Sequence, residues 1–338
     1  MKDTILYTLP KDLIAQYPLI DREKARLLVV NRKTEKLEER CFSDITGYFE
    51  KGDVLVLNNS KVIPARLKGR KITGGLVEIF LLKKIGPYRW EVLLRGNIKA
   101  SQLCRIEKKN NEDASLMVEI EKKNENGSYI ARFDTDEDEN IFRFGEVPLP
   151  PYIKRKADKD DEEYYQTVYA KRQGSVAAHT AGLHFTTRIL EEIASTGVQI
   201  VYLTLHIGWS SFKILKENEK SVGEEFFEIS DKTASVINTA KQQGGKIFAA
   251  GTSSVRALES AVNNRCLMAA SRRTELFIKT GFNFSIVDAM LTNFHLPGST
   301  HLYLVCGFAG ADIIEKAYKV AVEKKYRFYS YGDAMLII

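Results

Sequence analysis

Residues 289–300 read AMLTNFHLPGST and separate two apolar segments. The segment FSIV at 284–287 predicts the first half of a strand that continues to Phe294, and LYLV at 302–305 predicts a buried helix. The residues between them carry hydrogen-bonding side chains, and the pair Pro297–Gly298 is typical of a turn. A strand that passes through a polar turn into a helix is half of a βαβ unit, so this stretch favours an α/β fold.

The same succession of strand and helix repeats through the C-terminal half. The strand-like segments are VQIVYLTLHIG (198–208) and KIFAAG (246–251), and the helix-like segments are TTRILEEIASTG (186–197), SDKTASVINTAKQQGG (230–245), SSVRALESAV (253–262) and GADIIEKAYKVAVEKKY (310–326). Thr186 or Thr187 and Ser230 or Asp231 are predicted to cap their helices. This alternation predicts parallel strands joined by crossover helices, in an α/β domain that is either open or barrel-like.

Residues 65–149 have a different character. Short strand-like segments such as GGLVEIFLLKK (74–84), RWEVLLRG (89–96) and GSYIARFD (127–134) are separated by turn-forming residues. They predict a small antiparallel β-barrel domain. We therefore expect an α/β catalytic domain built from residues 1–64 and 150–338, with the barrel domain at 65–149 inserted into it.

The composition is that of a globular protein. The chain has 338 residues, 44% of them hydrophobic, and its net charge of +6 permits a phosphate-rich partner without requiring one. The four cysteines form no C-x-x-C pair, which argues against a disulfide framework or structural zinc and favours a reducing compartment. No signal peptide or membrane-spanning run is visible, so we expect a cytoplasmic protein that does not associate with membranes.

Three polar clusters follow predicted strands: HIGWSS (206–211), GTSS (251–254) and TNFHLPGST (292–300). Since ligands of α/β proteins bind beyond the carboxyl ends of the strands, the clusters predict one shared site. In GTSS, Thr252 and Ser253 offer hydroxyl and N–H groups at a helix start, which suits an anion. Arg256 is expected in the first turn of that helix, where the helix dipole opposes a cation, so it either binds an anionic ligand or pairs with Glu259 or Glu275.

The histidines admit several interpretations. The five histidines are His179, His184, His206, His295 and His301; four of them lie within or beside the polar clusters, but their spacing matches no common metal motif. Acid–base or binding use of His184, His206 or His295 is favoured over metal ligation, and hydrogen-bonded structural roles are the alternative.

Several longer motifs identify a family. The chain contains LPKDLIAQYP (9–18), GDVLVLNNSKVIPARL (52–67), GSVAAHTAGLHFT (174–186), GTSSVRALES (251–260), TNFHLPGST (292–300) and YRFYSYGDAML (326–336). In this order they resemble the S-adenosylmethionine:tRNA ribosyltransferase-isomerase family of queuosine synthesis. The resemblance covers nearly the whole chain and implies an α/β domain with an inserted β-barrel.

The resemblance also implies a reaction. The ribosyl part of S-adenosylmethionine would be transferred to tRNA carrying 7-aminomethyl-7-deazaguanine at the wobble position and isomerised to give epoxyqueuosine, with release of adenine and methionine. S-adenosylmethionine would be a substrate, so no cofactor and no metal are implied. The implied catalytic residues are His184, His206, Glu225, His295 and Asp333, and the implied substrate-binding residues are Thr180, Thr252, Ser253, Arg256, Asn293 and Tyr331.

Some positions depart from the family pattern. His179 stands where proline is usual, GWSSF (208–212) replaces G-x-G-T-F, SVGEE (221–225) replaces a histidine-rich segment, and Gly298 follows NFHLP. Two alternatives therefore stay open: a divergent RNA-binding relative with weak or altered activity, and a histidine-dependent metal hydrolase.

Overall fold

The structure is a computed structural model that describes residues 3–108, 111–209 and 223–338, without the side chains of residues 108 and 111–114. Its strands are β1 (Arg26–Val30), β2 (Leu37–Cys41), β3 (Val54–Asn58), β4 (Ser60–Val62), β5 (Arg66–Lys71), β6 (Leu76–Gly86), β7 (Arg89–Arg95), β8 (Gln102–Lys108), β9 (Asn111–Lys123), β10 (Tyr129–Phe133), β11 (Gly145–Glu146), β12 (Arg172–Ser175), β13 (Gln199–Leu205), β14 (Glu225–Ile229), β15 (Ile247–Ala250), β16 (Val262–Asn263), β17 (Cys266–Leu267), β18 (Ala270–Thr274), β19 (Ala289–Asn293) and β20 (Ala334–Ile337).

The α-helices are α1 (Asp138–Phe142), α2 (Lys159–Tyr164), α3 (Thr187–Ser195), α4 (Asp231–Gln242), α5 (Thr252–Ser260), α6 (Thr300–Ala309) and α7 (Ala311–Glu323). Short 3-10 helices span Lys11–Leu13, Arg22–Lys24, Phe42–Tyr48 and Thr180–His184. The side chains of Thr186 and Ser230 cap α3 and α4, which confirms two of the predicted caps. Across the described ranges, no helix has the length and apolar character needed to span a membrane.

The main sheet is open and mixed. The described residues build nine strands in the order β18–β14–β13–β3–β15–β19–β20–β1–β2. Strands β13, β3, β15 and β19 are parallel, whereas β20 runs antiparallel to β19, and β14, β18 and β2 are antiparallel additions at the two ends. The α/β architecture is therefore confirmed in its open form, with parallel pairing among β13, β3, β15 and β19 and again between β20 and β1.

Both faces of β3 and β15 are buried, because residues 54–57 and 247–250 are apolar at every position. In β3, Val54 and Val56 belong to one hydrophobic cluster together with residues of α4, α5, α6 and α7. Leu55 and Leu57 belong to a second cluster on the other face, with residues of α3 and the 3-10 helix Phe42–Tyr48. Helices thus cover both faces of the sheet and leave its strand ends as the accessible edges.

The inserted segment forms a closed antiparallel barrel. Strands β5, β6, β7, β10, β9 and β8 follow one another, and pairing of β5 with β8 closes the circle. Gly69 in β5 permits this closure, since a Cβ there would stand 2.2 Å from the Arg105 carbonyl oxygen. The predicted barrel is confirmed, and its strands lie between Arg66 and Phe133. The exact domain boundaries at 65 and 149 stay a prediction.

The segment 284–287 is not the strand that its sequence predicts. Strand β19 begins only at Ala289, while the backbone N–H groups of Ser285, Ile286 and Val287 each donate to the buried Glu259 carboxylate at 3.0 Å. The Glu259 carboxylate therefore accepts backbone N–H groups that, in a strand, would donate to the carbonyls of the neighbouring strand. The predicted helix over Leu302–Val305 is confirmed within α6.

This arrangement predicts a stability role for Glu259. Glu259→Gln removes the charge and one acceptor oxygen, which leaves buried N–H groups without acceptors, so the free energy of unfolding should fall by about 2 kcal/mol or more. Urea unfolding measures the change. Glu191→Gln on the exposed face of α3 is the matched control and should stay within about 0.5 kcal/mol of wild type. Equal stability of the two variants would contradict this role.

Candidate functional site

A cleft lies where the central parallel strands end. The chain leaves β13 at His206, β15 at Gly251 and β19 at Phe294, so the three polar clusters reach the same edge of the sheet. The cleft has a volume of about 120 Å³. Seven predicted site residues line it, namely Thr180, Glu225, Thr252, Ser253, Arg256, Asn293 and His295.

The Asn293 amide is held at the base of the cleft. Its Nδ2 donates to the Tyr329 carbonyl at 3.1 Å and contacts His184 Nε2 at 3.3 Å. The carbonyl contact fixes which end of the amide is the donor. Asn293 Oδ1 is buried and has no hydrogen-bond partner within the described part of the chain. A buried acceptor without a donor costs free energy, so a ligand that donates a hydrogen bond here would remove that cost.

Helix α5 begins directly at the cleft. Gly251 precedes it with φ +86°, and a Cβ at this position would stand 2.3 Å from the His179 ring, so only glycine fits. Ser253 Oγ contacts His179 Nδ1 at 2.9 Å, and His179 Nε2 contacts the Ala250 carbonyl at 2.8 Å. Thr252 and Ser253 occupy the first two helical positions, whose N–H groups lack acceptors inside a helix.

The Arg256 guanidinium forms an ion pair and hydrogen bonds within the protein. Its Nη1 lies 2.5 Å from Glu225 Oε2, Nη2 donates to the carbonyls of Gly223 and Thr274, and Nε donates to that of Leu276. Arg256 is the fifth residue of α5 and not in its first turn, so the argument from the helix dipole was wrong. The carboxylate that pairs with Arg256 is that of Glu225, and not that of Glu259 or Glu275 as the alternative prediction had it. The anion clamp stays a prediction, whereas the positioning of α5 against β14 is visible.

The histidines at the cleft are neutral at neutral pH. Burial lowers the pKa of His179 and His301 to about 4. The pKa of His295 is lowered well below its usual value, mainly by burial and secondly by electrostatic interaction with His301. His295 Nε2 lies 2.7 Å from Thr292 Oγ1, and its ring stacks on His301 with centroids 5.1 Å apart. These imidazoles are therefore unprotonated and take part in neutral hydrogen bonds, and the lowered pKa makes each a weaker base than a histidine in water.

The structure places His184 and Tyr331 beside the cleft but outside its lining. Both line a smaller adjacent pocket. The His184 ring packs against Phe42, and the Tyr331 hydroxyl donates to Asp161 at 2.6 Å. The contact between His184 Nε2 and Asn293 Nδ2 joins His184 to the lining of the main cleft.

His206 and Asp333 have structural partners. His206 Nδ1 lies 2.7 Å from Ser60 Oγ, and its ring stacks on Phe226. The buried Asp333 carboxylate accepts the backbone N–H groups of Arg26 and Arg327, and burial raises its pKa. Neither residue lines the cleft, so catalytic use of them stays a prediction that the geometry does not favour.

The aromatic cleft residues Tyr152 and Tyr165 were not among the predicted site residues. Tyr152 and Tyr329 line the cleft with ring centroids 4.7 Å apart, and Tyr165 lies in the same wall. Tyr152 lies in the proline-rich connector GEVPLPPYI (145–153) and Tyr329 lies in YRFYSYGDAML (326–336), so membership of a long specific motif was the available signal. Aromatic faces suit a nucleobase or a cation such as a sulfonium.

No group of three or more histidine, cysteine, aspartate or glutamate side chains is arranged to hold a metal ion in residues 3–108, 111–209 and 223–338. The metal-hydrolase alternative therefore lacks a ligand set in this part of the chain.

Comparison with known proteins decides the family. A model of the family described as queuosine biosynthesis protein matches residues 3–337. The chain belongs to this family. Proteins named S-adenosylmethionine:tRNA ribosyltransferase-isomerase are 47% identical in Halothermothrix orenii and 46% identical in Caldanaerobacter subterraneus, each over 98% of both chains. A solved S-adenosylmethionine tRNA ribosyltransferase from Thermotoga maritima is 36% identical, with a TM-score of 0.57 over 98% of this chain and 99% of that one.

Departures from the queuosine biosynthesis family pattern fall in different places. His179 lies at the cleft, Trp209 packs on Phe80 of the barrel with centroids 4.8 Å apart, and Gly298 adopts φ +70° in the turn before α6. Gly223 accepts a hydrogen bond from Arg256 through its carbonyl. The departures at Ser210, Ser211 and Val222 lie outside the described residues.

The buried ion pair predicts a stability effect of Arg256. Arg256→Met should lower the free energy of unfolding by about 3–5 kcal/mol because it leaves the Glu225 carboxylate buried without its cation. Urea unfolding measures this, and the double variant Arg256→Met/Glu225→Met should recover part of the loss. A single variant as stable as wild type would show that the pair does not hold α5 in place.

Proposed function

We propose that the protein transfers the ribosyl moiety of S-adenosylmethionine to tRNA and isomerises it. The acceptor would be 7-aminomethyl-7-deazaguanine at the wobble position, and the products would be epoxyqueuosine in tRNA, adenine and methionine. The observation that carries the proposal is similarity to ribosyltransferase-isomerases over nearly the whole chain. S-adenosylmethionine is consumed as a substrate, so the proposal needs no cofactor, and a tRNA substrate is consistent with a cytoplasmic location.

The cleft supports this proposal chemically. The reaction needs a base beside the sulfonium, a donor to the departing adenine, and groups that hold the ribosyl hydroxyls. Asn293 Oδ1 is an unpaired acceptor for a hydroxyl or amino group, and Thr252 and Thr180 add hydroxyls to the same lining. Tyr152 and Tyr329 offer aromatic faces against which adenine or the sulfonium would pack.

His295 is the predicted acid–base residue with the best position. It lines the cleft, is only partly exposed, and has a neutral imidazole at neutral pH. Its Nε2 contact with Thr292 Oγ1 orients the ring. In the proposed reaction His295 accepts a proton from substrate or passes one through Thr292, while Glu225 and Arg256 hold the wall in which the ligand lies.

The first test is adenine release by wild type and His295→Ala. The variant should lose about 10²-fold or more in turnover, the usual scale for a positioned acid or base. His206→Ala, whose ring lies outside the cleft lining, is the comparison and should lose less than about tenfold per folded molecule. Adenine release is followed by chromatography, and thermal midpoints of all samples verify folding.

The outcomes separate the alternatives. Full adenine release by a folded His295→Ala protein would remove His295 from the mechanism. Wild-type protein that binds the tRNA but releases no adenine would contradict the proposed function and favour the divergent RNA-binding relative.

A groove beside the barrel is the proposed contact surface for tRNA. Its volume is about 560 Å³, and cationic side chains outnumber acidic ones in its lining, which includes Arg66, Lys68, Arg95, Lys154, Arg155 and Lys156 against Glu78 and Glu146. The connector borders both spaces: Pro151 and Ile153 line the groove, and Tyr152 between them lines the cleft. A nucleic acid whose backbone followed the groove would thus bring a base near the cleft.

The groove predicts salt-dependent binding. The logarithm of tRNA affinity should fall linearly with the logarithm of salt concentration, and Lys154→Ala/Lys156→Ala should reduce the slope by about 1.4, or about 0.7 for each single-strand phosphate that a lysine no longer neutralises. Lys232→Ala, which lies on α4 and lines neither the groove nor the cleft, should leave the slope unchanged. Filter-binding titrations at several salt concentrations measure it, and a flat salt response would contradict the proposed phosphate binding.

A further inference from the structure

Ser253 and His179 form a pair with the geometry of an activated nucleophile. The distance from Ser253 Oγ to His179 Nδ1 is 2.9 Å, and that from His179 Nε2 to the Ala250 carbonyl oxygen is 2.8 Å. Because a carbonyl can only accept, Nε2 carries the ring hydrogen. Nδ1 is therefore the free acceptor, and the hydrogen of the Ser253 hydroxyl points toward it.

A second contact fixes the direction of the hydroxyl. Asn58 Nδ2 lies 3.4 Å from Ser253 Oγ, and since an amide nitrogen only donates, this weak contact occupies an oxygen lone pair. The hydroxyl hydrogen is left for His179. His179 is only 4% exposed, whereas Ser253 is partly exposed and lines the cleft, so the base is shielded while the hydroxyl meets the ligand space.

Donors for a developing oxyanion lie beside the hydroxyl. The N–H groups of Thr252 and Ser253 begin α5 and have no acceptor within the described residues. Preorganised N–H groups next to a nucleophile stabilise the negative oxygen of a tetrahedral intermediate. Asn293 Oδ1, buried and unpaired in the same lining, shows independently that the cleft leaves polar groups for a ligand.

We propose that Ser253 is a nucleophile activated by His179, which gives the cleft acyl-transfer reactivity toward small carboxylic esters in addition to the proposed ribosyl transfer. Ser253 Oγ bonds to the acyl carbon and its proton passes to Nδ1. The ester C–O bond then breaks, and the leaving oxygen takes that proton. Water attacks the acyl-serine, the acid departs, and Ser253 regains its proton through His179.

The environment of His179 is compatible with this cycle. Burial lowers the pKa of His179 to about 4, so the ring is neutral at physiological pH and Nδ1 is unprotonated; the Ala250 carbonyl opposes the lowering and so offsets part of the loss of basicity. When the ring is protonated during the reaction, the same carbonyl accepts a hydrogen bond from the imidazolium. A backbone oxygen here has the orienting role that a carboxylate has in a serine–histidine–aspartate triad.

The protein contains its own matched control. Ser60 Oγ lies 2.7 Å from His206 Nδ1, so the serine–histidine contact is repeated. Ser60, however, is 4% exposed, also contacts Ser175 Oγ at 2.6 Å, and does not line the cleft. Reactivity that depends on access and on oxyanion donors should appear at Ser253 and not at Ser60.

The experiment labels the full chain with diisopropyl fluorophosphate and follows intact mass and peptide maps. One adduct on the Ser253 peptide is expected in wild type and in Ser60→Ala, and none in Ser253→Ala. His179→Gln keeps a donor and an acceptor in the site but no base, so its labelling should be about 10²-fold slower. Release of 4-nitrophenol from 4-nitrophenyl acetate should follow the same order, with thermal midpoints verifying that each variant folds.

The results are independent of adenine release. No adduct on folded wild type, an adduct at another serine, or undiminished labelling of folded His179→Gln would overturn the proposal, even if ribosyl transfer proceeds. Labelling of Ser253 in a protein that releases no adenine would support it while contradicting the proposed function.

Discussion

The side chain of Asn58 holds the carboxyl ends of two central strands together, and the site depends on it. Asn58 is fully buried at the end of β3. Its Oδ1 accepts the N–H groups of Leu205 and Ser60, and its Nδ2 donates to the Leu205 carbonyl at 2.9 Å. One amide thus replaces a rung of the β3–β13 ladder at the point where the chains diverge, so the polar segments beyond the strands start from fixed positions.

The cleft is built from elements that are rigid for separate reasons. Glycine at position 251 lets β15 turn into α5 against the His179 ring, while the Arg256–Glu225 pair joins α5 to β14. Glu259 in the same helix gathers three backbone N–H groups that precede β19. Helix α5 therefore carries both the polar groups of the cleft and the contacts that fix the surrounding strands, so a change in its core-facing side chains will alter the site at a distance.

The sequence was sufficient for the alternation of strands and helices, the inserted barrel and the shared edge of three polar clusters, because these follow from hydrophobic period and turn residues. It was insufficient for pairings between distant residues. Nothing local to Arg256 shows that Glu225 is its partner, and the apolar letters of 284–287 do not reveal that Glu259 takes their N–H groups. His206 was selected from a polar cluster after a strand and Asp333 from a family motif, and both turned out to have hydrogen-bond partners within the fold, which sequence spacing cannot distinguish from an active-site position.

The two larger sheets differ in whether they leave terminal strands unpaired on one side. The barrel closes through β5 and β8 and has no unpaired strand edge among these six strands, whereas the main sheet ends at β2. The outer strand β2 reads LEERC, and its Glu38, Glu39 and Arg40 form ion pairs within the monomer, Glu39 with Arg26 and Arg40 with Glu38. Charged side chains on a terminal strand make the addition of a strand from another molecule unfavourable. The charges of β2 therefore disfavour strand addition at this margin of the main sheet, which lies at the opposite end of the strand order from β14 and β18.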